Sequence, residues 1–159
     1  AGLVYGSAME LPPCGLYRTT GPIGPIEAGR LVYFHNHGNP GPGIYLPKTW
    51  KHNRAEFEEK GQTLSDPGLV RYLEPLPPEG LYRVAEPFHC CEKRCRHFEE
   101  DALVQLGYNG HAEPILFRPE LVDAMLAIPA EGWKTSLESV AHLRQLRVPV
   151  TRRDGLPPQ

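Results

Sequence analysis

Apolar and polar positions alternate along this chain in short runs, which predicts strands more often than helices. Gly15-Leu-Tyr-Arg18 and Gly80-Leu-Tyr-Arg83 each read as a strand with Leu and Tyr on opposite faces. The runs 30–35 and 102–106 are β-rich, and 44–46 and 114–117 read as returning strands that close two hairpins. The turns between them are His37-Gly-Asn-Pro-Gly-Pro-Gly43 and Tyr108-Asn-Gly-His111. Asn109-Gly110 suits a type I′ turn, whereas the first loop is too long for a tight one. Three helices are also expected. One spans 49–60, with Trp50, Asn53, Arg54 and Phe57 on its inner side and Gly61 at its end. A second starts at Pro119, carries a stripe of Leu121, Ala124, Met125 and Ile128, and stops at Pro129. The third opens on the capping box Thr135-Ser-Leu-Glu138 and continues through Leu137, Val140, Leu143 and Leu146, with Arg144 and Arg147 at its cation-favouring end.

The pattern recurs. ELPPCGLYRTTGPI at 10–23 and PLPPEGLYRVAEPF at 75–88 share eight of fourteen residues at an offset of 65, among them Gly15/Gly80, Leu16/Leu81, Tyr17/Tyr82 and Arg18/Arg83. Leu31-Val32 matches Leu103-Val104 at an offset of 72, and Gly61 faces Gly132 at 71. This predicts an internal tandem repeat: a lead over 1–9, one β-rich unit over 10–74, a second over 75–148 and a flexible tail over 149–159. Units this small are expected to share a core. The expected fold class is α+β, mainly β, with two related halves, short helices and a C-terminal helix. By fold-level analogy the halves are similar to SH3-like small barrels.

Composition agrees. Gly (16) and Pro (18) make up roughly a fifth of the 159 residues against about 12% in average usage, which excludes a helix bundle. No apolar run approaches the length of a membrane-spanning helix, so no membrane partner is expected. The net charge is −2, and the basic stretch Lys93-Arg94-Arg96 is bracketed by Glu92, Glu99, Glu100 and Asp101, so nucleic acid is not an expected ligand. The start of the chain lacks the basic and apolar regions of a signal peptide, and four Cys are too few for a disulfide scaffold; both point to the cytoplasm.

The densest chemistry is His89-Cys90-Cys91-Glu-Lys-Arg-Cys95-Arg-His97, inside an insertion that the first unit lacks. Thiolates and imidazoles suit zinc, but Cys91 and Cys95 are four apart and no second pair follows. Half-buried reduced thiols, a Cys91–Cys95 redox pair and a catalytic thiolate are the alternatives. Phe88 and Phe98 are expected to anchor the insertion in the core, with His97 near the surface. The other constellation is His35-Asn-His37. Two His two apart at a strand end face the same way and suit one metal, or are surface imidazoles beside a turn. With Gly29 they fit G-x₅-H-x-H and so resemble the opening of a cupin motif. That resemblance covers nine residues and lacks the Glu expected about four residues later, since Gly38-Asn-Pro-Gly-Pro stands there. Aromatic residues Tyr33, Tyr45, Trp50 and Tyr108 flank the two turns, as do Asn109 and His111. Nucleotide-binding, Walker, nucleophile-elbow and zincin motifs are absent.

These features predict a non-enzymatic cytoplasmic binding or adaptor module. Its contacts would run through loops 35–43 and 107–113, with Tyr33, His35, His37, Tyr45, Trp50, Tyr108, Asn109 and His111 as binding residues. The partner is expected to be another protein, and no cofactor is expected apart from zinc at His89, Cys90, Cys91, Cys95 and His97. A metal-dependent enzyme using His35, His37 and His111, or a zinc or thiol regulator centred on 90–97, are the alternatives.

Overall fold

The structure is a computed structural model that describes residues 10–38 and 41–150. The 1–9 lead, Asn39 and Pro40 in loop 35–43, and the 151–159 part of the tail lie outside the described residues. The fold is mainly β, with several antiparallel sheets and few short helical turns.

The first half holds β1 (Gly15–Thr19), β2 (Leu31–His35), β3 (Gly43–Tyr45), β4 (Pro47–Lys51), β5 (Arg54–Phe57), β6 (Gln62–Thr63) and β7 (Leu73–Pro75). A 3₁₀ helix at Pro67–Tyr72 precedes β7. The second holds β8 (Gly80–Val84), β9 (Phe88–His89), β10 (His97–Phe98), β11 (Leu103–Tyr108), β12 (Pro114–Phe117), β13 (Glu120–Val122), β14 (Met125–Ala127), β15 (Trp133–Lys134), the one-turn helix α1 (Leu137–Val140) and β16 (Leu143–Gln145). Two five-stranded antiparallel sheets result, in the orders β6-β3-β2-β1-β7 and β15-β12-β11-β8-β16. Registers correspond strand by strand: Tyr17 faces Val32 as Tyr82 faces Val104, and Phe34 faces Ile44 as Leu106 faces Leu116. In both halves a small hairpin, β4–β5 or β13–β14, follows the third strand of the sheet.

The shared Pro-Pro-x-Gly-Leu-Tyr segment has a local physical basis. Tyr17 donates its hydroxyl proton to the Pro13 carbonyl at 2.7 Å, and Tyr82 does the same to Pro78 at 2.6 Å. The chain must curl back under the ring, and Gly80 takes φ +139° to do so, a value that glycine reaches without strain. Tyr17 and Thr19 are buried in β1 and Tyr82 and Val84 in β8, while Leu16 and Leu81 are half-buried.

Each sheet covers its own core. Tyr17, Val32, Phe34 and Ile44 meet Ile23, Ile26, Leu64 and Leu73 in the first. Tyr82, Val84, Val104, Leu106 and Leu116 meet Phe88, Phe98, Tyr108 and Val140 in the second. Leu31 crosses from the first sheet into the second core, with Leu16, Ala55 and Phe57 packed beside it. Backbone links reinforce this junction: the Leu31 N–H donates to the Gly110 carbonyl at 2.9 Å.

All three expected helices are corrected. Residues 49–60 form the β4–β5 hairpin, and the 119–128 segment forms the β13–β14 hairpin. Both turn on two residues at positive φ, His52-Asn53 and Asp123-Ala124, as a type I′ turn requires. The helix-like spacing of Trp50 and Leu121 with their neighbours reflects cross-strand pairing instead: Trp50 faces Ala55 and Leu121 faces Leu126. The C-terminal helix is only one turn long. Ser136, not Thr135, caps it by accepting from the Ser139 N–H. Leu143–Gln145 leaves the helix because the open edge of β8 offers a backbone ladder that satisfies its amides. Tyr108-Asn109-Gly110 is not a two-residue turn either. Asn109 Oδ1 accepts from the N–H groups of His111 and Glu113, closing a longer loop in which Ala112 has positive φ.

Candidate functional site

The β1–β2 register places Gly15 opposite Phe34, so Cys14 arrives beside the end of β2. There its Sγ lies 3.6 Å from His35 Nδ1 and 3.8 Å from His37 Nδ1. The two imidazole rings are 4.0 Å apart. Among the described residues these three form a group of Cys, His, Asp and Glu side chains whose ligand atoms all lie within 4.8 Å of one another. Asn36 ties the group together. Its backbone N–H donates to Cys14 Sγ at 3.3 Å, its Oδ1 accepts the Cys14 thiol proton at 3.2 Å, and its Nδ2 donates to the Pro12 carbonyl. His37 Nδ1 also lies 2.8 Å from Asn36 Oδ1. Cys14 and His35 are half-buried and His37 is exposed.

A cavity of about 500 Å³ adjoins this cluster at the junction between the halves, lined by Cys14, Tyr17, Tyr33, Phe57, Pro78 and Glu79, among others. Glu79 is buried, and its Oε2 accepts the Ala55 N–H at 3.0 Å. Burial pushes its carboxyl above the ordinary range, with that hydrogen bond and Arg54 opposing.

The Cys/His insertion is a second place. Phe88 and Phe98 stack at 5.2 Å between centroids and are buried, and His97 is exposed. Cys90 is buried, while Cys91 and Cys95 are exposed with their sulfurs 3.3 Å apart. The Cys90 and Cys91 sulfurs are 3.7 Å apart, and the His89 and His97 rings pair at 4.7 Å. The five side chains expected to bind zinc thus form a row of three thiols and a separate pair of imidazoles, and among the described residues they do not make up the group of mutually close ligand atoms that Cys14, His35 and His37 form. A backbone N–H at Cys95, followed by the Cys95 thiol, lowers the Cys91 thiol to about 7, and the thiolate formed there raises Cys95.

The remaining residues separate. Tyr108 is buried, and its hydroxyl donates to the Pro77 carbonyl at 2.6 Å. Burial pushes that hydroxyl far above the ordinary tyrosine range. Trp50 donates from Nε1 to the Tyr108 carbonyl at 2.8 Å, and Gly110 accepts from Leu31 and Arg30. Loop 107–113 is therefore largely occupied by the first half of the chain. Asn109 serves the loop itself, and His111 is exposed. Tyr33 and Tyr45 are half-buried and line a shallower cavity of about 280 Å³ with His35 and Phe57.

Sequence reasoning passed over Cys14 as a partner of the two imidazoles, and passed over Glu79. The repeat held a usable signal for both. PPCG and PPEG differ at that one position, so Cys14 and Glu79 stand where two otherwise shared segments diverge. The surface apolar residues were also misread, because a helix would have buried them. Instead every residue of β13 and β14 is exposed. Comparisons with protein-family models, with curated proteins and with solved structures find no match for this chain.

Proposed function

We propose that this chain is a non-catalytic binding module, built from two copies of one unit, and that it recognises another unit of its own kind through hairpin β13–β14. The observation that carries this is the difference in cover between the two hairpins. Leu121 and Met125 are 74% and 73% exposed, and Val122 and Leu126 are more than half exposed. Leu121 pairs with Leu126 on one face of the hairpin and Val122 with Met125 on the other, and exposed apolar residues clustered in this way mark an interaction site.

The first hairpin supplies the template for what covers the second. Asn53, at the tip of β4–β5, donates to Gln105 Oε1 at 2.9 Å, and Gln105 Nε2 donates back to the His52 carbonyl. Gly107 lets this tip approach so closely that a Cβ there would sit 2.5 Å from the Asn53 oxygen. On β2 the positions in register with Gln105 and Gly107 are Tyr33 and His35, both half-buried. On the second hairpin the residue in the place of Asn53 is Ala124. A large tip residue meets a glycine inside the molecule. Between molecules, a small tip residue meets Tyr33 and His35. The occupant of β13–β14 is accordingly the β2 face of a second copy, a head-to-tail contact that forms rings or open chains.

Sedimentation velocity over a range of concentrations tests this. Wild type should associate, and Leu126→Glu and Tyr33→Asp should each abolish association. Mixed, the two variants retain one intact surface of each kind and should form a heterodimer that stops there. A wild type that stays monomeric, or two variants that fail to complement, would overturn the head-to-tail reading.

A further inference from the structure

We propose that Cys14, His35 and His37 bind one zinc ion, through the Cys14 thiolate and the Nδ1 atoms of both imidazoles. In a tetrahedral zinc site, bonds of about 2.3 Å to sulfur and about 2.0–2.1 Å to nitrogen put sulfur and nitrogen about 3.6 Å apart. The observed separations from Cys14 Sγ, 3.6 Å to His35 and 3.8 Å to His37, match that edge. Both nitrogens that face the sulfur are Nδ1, so no ring flip is needed, and His37 Nδ1 exchanges its contact with Asn36 Oδ1 for the metal.

The donor set narrows the choice of metal. One thiolate with two imidazoles is too soft for magnesium or calcium and suits zinc. The ligands come from places already fixed by the sheet. Cys14 is held by the β1–β2 register and by the curl of Pro12-Pro13 over Tyr17. His35 ends strand β2, and the bend that follows brings the His37 ring to 4.0 Å from it. Asn36, between them, is a positioning residue. Its N–H already donates to Cys14 Sγ, a bond that strengthens when the sulfur becomes a thiolate. Its Nδ2 is anchored on the Pro12 carbonyl, while its Oδ1, which contacts both Cys14 Sγ and His37 Nδ1, turns away from them when the metal takes its place. Zinc entry releases the Cys14 thiol proton to solvent and takes neutral imidazoles. The three protein ligands leave a fourth position for water or an external donor.

The site keeps His35 and His37 of the sequence-based metal candidate, takes Cys14 in place of His111, and draws on none of the thiols of the 90–97 insertion. It shares His35 with the β2 face proposed to receive the hairpin, but ligation by Cys14 is read from the cobalt spectrum and association from sedimentation, so the failure of one reading is distinguishable from the failure of the other.

The test is titration of the purified full chain with Co(II), followed by displacement with Zn(II). The expected result is one metal per chain, with the thiolate-to-cobalt charge-transfer band and the intense visible bands of a four-coordinate site. Cys14→Ser should remove the charge-transfer band, and His37→Ala should weaken binding by at least about 100-fold. Both substitutions fall outside the core, and far-ultraviolet circular dichroism checks the fold of each. Asn36→Ala should lower affinity by about 10–100-fold while keeping the band, the signature of positioning rather than ligation. Cys91→Ser with Cys95→Ser should change nothing. No cobalt spectrum in wild type, a charge-transfer band that survives Cys14→Ser, or one lost with Cys91 and Cys95 would each overturn the proposal.

Discussion

Glu79 is the residue whose burial carries the plainest energetic consequence. Its carboxyl sits in the junction between the halves, accepts one backbone N–H from Ala55, and is held above the ordinary range by desolvation. A carboxyl whose pKa is higher folded than unfolded favours the fold in its protonated form. Its stabilising contribution is complete below the unfolded pKa, about 4.3, and is lost as pH rises through the raised folded value. Glu79→Gln keeps an oxygen for the Ala55 N–H and removes the ionisation. Urea denaturation at acid pH and at pH 8 should therefore show the variant gaining on wild type as pH rises; a constant difference would refute this. At the same scale, the Tyr17 and Tyr82 hydroxyl bonds explain why Pro-Pro-x-Gly-Leu-Tyr appears twice. The identity of those residues was plain in the chain, but the reason for it was not. The hydroxyl reaches a carbonyl four residues back only once the segment has curled.

At the scale of elements, the two hairpins show how turn chemistry outweighs periodicity. Apolar residues three and four apart suit a helix, yet a two-residue turn at positive φ imposes cross-strand pairing on the same residues. His52-Asn53 and Asp123-Ala124 are weaker signals than Asn-Gly, which is why both segments read as helices. The docking of the first hairpin rests on Gly107, since a Cβ there would meet the Asn53 carbonyl at 2.5 Å. Gly107→Ala should force the tip away, lengthen the Trp50-to-Tyr108 hydrogen bond and cost about 1–3 kcal/mol, as overpacking does. Intrinsic tryptophan emission and a denaturation midpoint measure this together. An unchanged spectrum with unchanged stability would mean that the hairpin is not held at Gly107.

At the scale of the molecule, the two sheets keep separate cores and are joined where Leu31 crosses from the first sheet into the second core. Leu31 belongs to β2 by backbone pairing but packs with Tyr82, Val84 and Leu106 of the other half, with no exposed surface. Leu31→Ala should cost about 2–5 kcal/mol. It should shift a single cooperative transition, with far-ultraviolet and aromatic signals moving together. Two separated transitions would show that the halves fold independently. This sharing also explains the fate of loop 107–113. Its position on the second sheet suits a contact surface, and the partner that takes it is the first half of the same chain, through Gly110 and Tyr108.

The sequence by itself determined the β-rich class, the main strands of both sheets, and the anchoring of the Cys/His insertion by Phe88 and Phe98. All of these follow from side-chain alternation and turn residues, which act over a few positions. Only the tertiary structure decided the rest. Cys14 meets His35 and His37 across a separation of more than twenty residues because the β1–β2 register sets Gly15 against Phe34. Leu143–Gln145 became a strand because β8 had a free edge. Leu121, Val122, Met125 and Leu126 remained on the surface because the hairpin that carries them found no second sheet to cover it. Register, edge pairing and burial depend on which distant segment arrives, and local pattern holds no record of that.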